Sequence, residues 1–258
     1  MKTRIGVIVA AAITVLTALV VNAAEEVKPQ SIGAVVAVQG SVTATGKDQA
    51  VRNLGLKSDI FPMDKVVTEA GGKIQIQFLD DTVISQGEKS EIVIDEYVFN
   101  PEKPAEVNSS VSAVKGVFRM ITGKITKLNP ERFKVRTRMA TIGVRGCEVG
   151  FKIKLIDEKI FVVELGPNEK VTVETGKSHG LVGNLNEGKW ADDQTQKKLV
   201  QFLRKEVDKG GVVISITKQG EMGEEPLTPG ALADLIEAVT PRQEEPGKGG
   251  GEGGEKKE

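Results

Sequence analysis

The chain predicts a mainly β fold: a compact β-solenoid-like or β-sandwich domain of short strands, with two short C-terminal helices and a disordered tail. Apolar residues recur with a period of two over most of its length, the spacing that turns one face of an extended chain into a core. Turn-forming residues interrupt that alternation at short intervals. Glycine supplies 29 of 258 residues, above the usual share of about 7%, as a fold with many tight reversals requires.

Seven segments read as strands: Ile32–Val38, Lys73–Leu79, Glu91–Asp95, Phe133–Thr137, Glu148–Leu155, Ile160–Leu165 and Lys170–Glu174. In KIQIQFL, Ile74, Ile76 and Phe78 share one face while Lys73, Gln75 and Gln77 share the other, the pattern of a half-buried strand. Gln39-Gly40, Gly71-Gly72, Asp80-Asp81 and Gly166-Pro167-Asn168 mark reversals. A loose echo between VVAVQGSVTATG at 35–46 and VVELGPNEKVTVETG at 162–176 favours the solenoid-like option. Two copies fall short of a stacked array, and coincidence among Val/Thr/Gly-rich strands explains them equally well.

Helical spacing begins late. Asp192 and Asp193 place negative charge in a first turn, and Leu199, Phe202 and Leu203 form an apolar stripe with Lys197, Lys198 and Arg204 outside it. That segment ends near Gly210-Gly211, and Val212–Thr217 reads as another strand. Thr228 as N-cap and Pro229 at the first helical position start a second short helix running to about Val239. From Pro241 onward no apolar residue offsets the entropy of ordering, so a disordered tail is expected.

At the other end, Lys2 and Arg4 precede an uncharged run from Ile5 to Val21, and Val21-Asn22-Ala23 supplies short residues for cleavage. As a helix the run spans about 25 Å, short of the roughly 30 Å of a hydrocarbon core. The expected organisation is a signal peptide at 1–23, a β domain at 31–185, a helix–strand–helix extension at 186–240 and the tail at 241–258, in a periplasmic or secreted protein. One cysteine, Cys147, allows no internal disulfide.

Residues 136–153, RTRMATIGVRGCEVGFKI, resemble the hallmark segment of the FecR domain: a strand, a small-residue turn, then a Val/Ile-Arg-Gly-Thr step into a second strand. Val144-Arg145-Gly146-Cys147 matches that step, with Cys147 where threonine is usual. Upstream, Val35–Val42 is similar to the opening strand pair of the family. Leu54–Glu69 is similar to its "Leu, spacer, Gly-Asp, Thr" segment, with Met63 in place of glycine. IQIQFLDDTVI at 74–84 resembles the "Leu-x-Phe-x-Asp-Gly-Ser" hairpin, with Asp81-Thr82 replacing Gly-Ser. The resemblance implies an extracytoplasmic ligand-binding or signal-relay domain, best known for passing transporter signals to sigma regulators. With four residues before the apolar run, no cytoplasmic anti-sigma segment is expected.

Overall charge is -1 and selects no partner, but its distribution is uneven. From Lys115 to Arg145 there are nine basic residues against the single acid Glu131. Alternation puts Arg132, Lys134, Arg136 and Arg138 on one face of a strand and Phe133, Val135 and Thr137 on the other. Such a ridge draws an envelope protein or an anionic polymer; alternatively, Glu88, Glu91, Asp95, Glu96 and Glu148 on neighbouring strands neutralise it within the fold. Arg145 is expected to bond turn carbonyls, Gly146 to permit a bend, and Cys147 to be a buried thiol.

No enzyme is expected. His179, the lone histidine, lies in the Gly-flanked GKSHGLVG, read as a surface turn, and no His/Cys/carboxylate constellation has usable spacing for a hydrolase. Asp80-Asp81 and Asp192-Asp193 lack the spacing of a calcium loop, so no metal and no cofactor are expected, nor nucleic acid as a partner. The reading is a non-enzymatic binding, signalling or envelope-assembly module. A carbohydrate-binding module is the alternative, weakened because only Trp190 and Tyr97 stand beside eight Phe as stacking rings.

Overall fold

A computed structural model describes residues 29–175, 179–183 and 211–242. The expected signal peptide, the expected tail beyond Arg242, Trp190 and the expected helix containing Leu199, Phe202 and Leu203 lie outside the described residues. Fifteen strands appear among those described. The first eight are β1 (Gly33–Gln39), β2 (Val42–Thr45), β3 (Val51–Asn53), β4 (Asp59–Ile60), β5 (Lys65–Thr68), β6 (Lys73–Phe78), β7 (Val83–Gln86) and β8 (Glu91–Val98). The others are β9 (Asn108–Ile121), β10 (Phe133–Arg136), β11 (Ala140–Ile153), β12 (Asp157–Thr175), β13 (His179–Gly183), β14 (Val212–Thr217) and β15 (Met222–Pro226). Two helices are described, α1 (Lys124–Leu128) and α2 (Pro229–Val239).

The strands form one continuous hydrogen-bonded sheet that doubles over into two layers. One layer runs β4-β1-β6-β7, then the second half of β9, the second half of β11, the start of β12, β14 and β15. The other runs β3-β2-β5-β8, then the first half of β9, β10, the first half of β11, the end of β12 and β13. Inward-facing Ile74, Ile76, Ile84, Phe118 and Phe151 from the first layer join Val66, Ile92, Ile94, Val135 and Ile142 from the second in one core. Each such aliphatic or aromatic side chain contributes about 1.5–3 kcal/mol by leaving water. The expected mainly β architecture is what the chain adopts, with features of both a sandwich and a solenoid.

Doubling over depends on backbone that passes too close for a side chain. Gly40 lies against Gly71 and Gly72 of the next reversal, and a Cβ on Gly72 would stand 2.6 Å from the Ser41 carbonyl oxygen. In β9 the change of layer falls at Gly116, with φ +109, where a Cβ would lie 2.0 Å from Ser90 Oγ. Up to Lys115 the strand pairs with β8; from Gly116 it pairs with β11. Backbone groups orphaned at these corners find buried partners. Thr68 Oγ1 donates to the Gly87 carbonyl (2.6 Å) and accepts from the Ser90 N–H (3.0 Å), and Gln86 Nε2 donates to the Ser90 carbonyl (2.9 Å).

β10 enters by another route. It is parallel to the first half of β9, so the chain must return before it can pair. The return runs through α1 and a single 3₁₀ turn, Pro130–Arg132. Five residues of helix do not hold themselves; Asp80, fully buried on the β6–β7 turn, supplies the missing cap. Its carbonyl accepts from the Lys124 N–H (2.7 Å), and its carboxylate accepts from Thr82 Oγ1 (2.7 Å), Tyr97 Oη (3.1 Å) and the Ile125 N–H (3.3 Å). This helix has no periodic signature of its own, so the late onset of helical spacing expected above is corrected.

Other differences concern extent. β11 and β12 run 14 and 19 residues, well beyond the segments legible by alternation, and β9 was not expected at all. Leu155 leaves the strand expected to end there; β11 stops at Ile153. His179 begins β13 opposite Glu174 instead of occupying a turn, because cross-strand pairing to β12 captures it. At the two positions where the FecR pattern carries glycine, Met63 and Asp81 adopt φ of 67° and 68°. The backbone there keeps the left-handed geometry although the residue has changed.

α2 straps the outer face of the first layer. Thr228 accepts from the Ala231 N–H (3.2 Å), capping the helix behind Pro229. Leu235 fills the space over Gly150, and with Phe161, Val213 and Leu227 it forms a second small core. Lys73 Nζ donates to the Glu237 carbonyl (2.5 Å), a cation at the C-terminal end of the helix.

Gly116→Ala is expected to cost about 2–4 kcal/mol in urea unfolding, through the clash and the strained φ. Gly223→Ala in β15, where a Cβ meets nothing within 4 Å, should be neutral or slightly stabilising. Met63→Gly should gain about 1 kcal/mol by relieving the left-handed strain; a loss of that size would contradict the account of this turn.

Candidate functional site

β10 alternates strictly. Phe133 and Val135 are buried, and Arg132, Lys134, Arg136 and Arg138 are exposed. Its neighbours on the outer face are small. Lys134 lies opposite Ser110 of β9 and Gly143 of β11, and Arg136 lies opposite Ser112 and Thr141. The cations therefore stand clear of their surroundings on a strand pinned by core side chains on its other face.

The acids available to neutralise the ridge are engaged elsewhere. Glu148 holds Arg119 in a two-bond pair (2.7 and 3.0 Å), and Glu91 faces Lys115 at 3.9 Å. Asp95 accepts from Ser112 Oγ (2.7 Å), and Glu88 accepts from the Gly71 N–H (2.7 Å). Asp81 pairs with Lys124 at 2.8 Å, and Glu131 pairs with Arg145. Among the described residues, Arg132, Lys134 and Arg136 make no ion pair, and Glu96 supplies none.

The hallmark step lies on the same outer face. Arg145 lies opposite Lys170 in the β11–β12 register, so two cations adjoin on the same outer face. Burial pushes the Arg145 guanidinium down from its usual value; burial and then the Arg145 charge push Lys170 down. Arg145 thus pairs with Glu131, where bonding to turn carbonyls was expected. Gly146, with φ +72, coincides with a register shift between Arg145 and Cys147. Cys147 is buried, and its carbonyl accepts from Thr122 Oγ1 at 3.2 Å.

At the far end of β10 the two layers meet without a covalent corner, and a buried carboxylate bridges them. Thr137 Oγ1 donates to Glu158 Oε2 at 2.5 Å. Burial pushes Glu158 above the usual carboxylate range, opposed by the Thr137 hydroxyl, by backbone N–H groups of Met139 and Arg138, and by the Arg138 charge. Glu224 on β15 is likewise pushed up by burial, to about 7. Neither acid carried a signal in the alternation; Glu158 falls between the strands read at Glu148–Leu155 and Ile160–Leu165, and only the fold buries it.

Tyr97 offers no stacking platform. It is buried, stacks on Phe78 with ring centres 5.4 Å apart, and donates to Asp80; burial pushes its hydroxyl up. Among the described residues no group of three His, Cys, Asp or Glu side chains is placed to hold a metal. No described helix is long and apolar enough to cross a membrane.

Residues 64–177 match the family model described as FecR protein. No curated protein matches the chain. Two crystal structures of a candidate anti-sigma factor from Parabacteroides distasonis are similar, each at 15% identity and a TM-score of 0.44. They cover 67% of this chain, which spans less than two thirds of theirs, 64% and 63%.

Both raised acids hold more proton in the folded than in the unfolded state. Their contribution to stability is present below the ordinary carboxylate value of 4.5 and is lost as pH rises, through about 7 for Glu224. The thermal midpoint should therefore fall between about pH 5 and pH 8. Glu158→Gln with Glu224→Gln should flatten that fall; an unchanged slope in the double variant would refute the assignment.

Proposed function

We propose, from the premise that residues 64–177 form a FecR domain, that this protein is a non-enzymatic signalling module acting outside the cytoplasm. Its working surface is the outer face around β10, and its partner bears carboxylates or phosphates, on an envelope protein or an anionic polymer. One observation carries this reading: Lys134 and Arg136 project from β10, and Arg132 from the end of the 3₁₀ turn before it, with no ion pair among the described residues, while the nearby acids serve other partners. A fold that needed those cations only for itself would be expected to pair them.

The physics suits capture and relay. Cations that make no ion pair among the described residues, set side by side on one outward face, produce a potential that steers an oppositely charged surface and fixes its orientation. Because Phe133 and Val135 hold the strand in the core, little conformational freedom beyond that of the cationic side chains themselves must be lost on binding. The same field is screened over about 8–10 Å at physiological salt, so the contact is adjustable. Support for export comes from the positively charged start, the apolar run from Ile5 to Val21 and the short residues after it. The carbohydrate alternative loses Tyr97 to the core.

Pull-down from the native envelope with a salt-gradient elution tests the reading. Lys134→Glu with Arg136→Glu should elute the partner at lower salt and weaken capture by about tenfold or more, while thermal stability stays near that of the parent. Equal capture by the charge-reversed protein would remove the β10 face from the proposal.

A further inference from the structure

Three hairpin turns converge at one end of the two layers. The Thr137 N–H donates to the Ala140 carbonyl (2.8 Å), the Lys154 N–H to the Asp157 carbonyl (3.0 Å), and the Gly220 N–H to the Thr217 carbonyl (2.8 Å). The central residues of these turns are Arg138-Met139, Leu155-Ile156 and Lys218-Gln219. Together with Gly220 they line an open cleft of about 500 Å³.

The middle turn is chemically out of place. Turn centres are normally Gly, Asn, Asp, Ser or Pro, each for a conformational reason that Leu and Ile do not share. Leu155 and Ile156 are 69% and 64% exposed, so neither stabilises the core. They form an exposed apolar tip at one wall of the cleft, with cations on the other two turns that line it. The acids nearby sit at the bases of the turns. Asp157 faces Lys154 at 3.9 Å, Glu158 is buried against Thr137, Glu174 lies opposite Thr141, and Glu221 follows the third turn. No acid occupies a turn centre.

We propose that this end of the molecule docks on an anionic lipid bilayer, with Leu155 and Ile156 entering the acyl boundary and Arg138 and Lys218 holding headgroup phosphate in the cleft. A protruding pair of aliphatic side chains finds little complementary area on a flat protein surface, whereas a bilayer closes around it. The collar adds attraction to an anionic leaflet within a Debye length. The tip and the β10 ridge meet at Arg138, so a molecule seated this way would present the ridge at the membrane surface. This inference is independent of the partner proposed above, since it requires no contact by Lys134 or Arg136.

Co-sedimentation of the exported chain, from Ala24 onward and so without the apolar run Ile5–Val21, with phosphatidylcholine vesicles, with and without phosphatidylglycerol, tests it. Binding should require phosphatidylglycerol, weaken with salt, and fall by about tenfold or more in Leu155→Asn with Ile156→Asn and in Arg138→Glu with Lys218→Glu. Ile156→Trp in a Trp190→Phe background gives a local readout: its emission should shift to the blue and be quenched by brominated acyl chains. Binding unchanged by the tip substitutions, or an indole at 156 that stays in water, overturns the proposal. So does binding abolished only by Lys134→Glu with Arg136→Glu.

Discussion

The whole architecture depends on bringing backbone against backbone at the reversals where the sheet changes layer. At Gly40 against Gly71 and Gly72, and at Gly116 against Ser90, there is no room for a Cβ. Those contacts set the distance at which the two inner faces meet, and alternating Val, Ile and Phe then interlock in a single core. Because each corner rests on the one beneath it, the reversals act together, and buried Thr68, Gln86 and Ser90 satisfy the polar groups that the bends expose.

Where that stacking lapses, the surface of interest emerges. After β9 the chain detours through α1, and β10 enters the second layer in parallel with nothing inserted between the same neighbours in the first. Asp80 makes the detour possible by capping a helix distant in sequence, and Glu158 with Thr137 closes the gap that a missing corner would leave. Inserting an extra strand into one layer pushes its outward residues into solvent. The cations of β10 stand there because their inward neighbours Phe133 and Val135 are committed to the core.

Charge is distributed by the same logic. Arg119 and Glu148 face each other because β9 and β11 pair across their second halves; Arg145 finds Glu131 because the 3₁₀ turn before β10 lies beside it. The acids considered as partners for the ridge bond serines, a glycine N–H or other cations, and Lys134 and Arg136 are left with serine, threonine and glycine at their flanks. Burial raises two acids: Glu158, where it meets Thr137 at the far end of β10, and Glu224 on β15.

Sequence by itself determined the β class, the inward and outward faces of Lys73–Phe78 and β10, the reversals at Gly40 and Gly71-Gly72, and the N-cap at Thr228, because each follows from a local rule of period, φ or capping. It also placed a basic ridge at Arg132, Lys134, Arg136 and Arg138. Only the tertiary structure decided that β9, β11 and β12 pass through both layers, that α1 is held by Asp80, and which acids meet which bases. Those outcomes arise from pairing between segments far apart in the chain, where register and burial select partners that no local spacing encodes. Leu155-Ile156 shows the difference most plainly: alternation placed Leu155 in a strand, and the packing of β11 against β9 ended that strand two residues earlier and left both side chains in water.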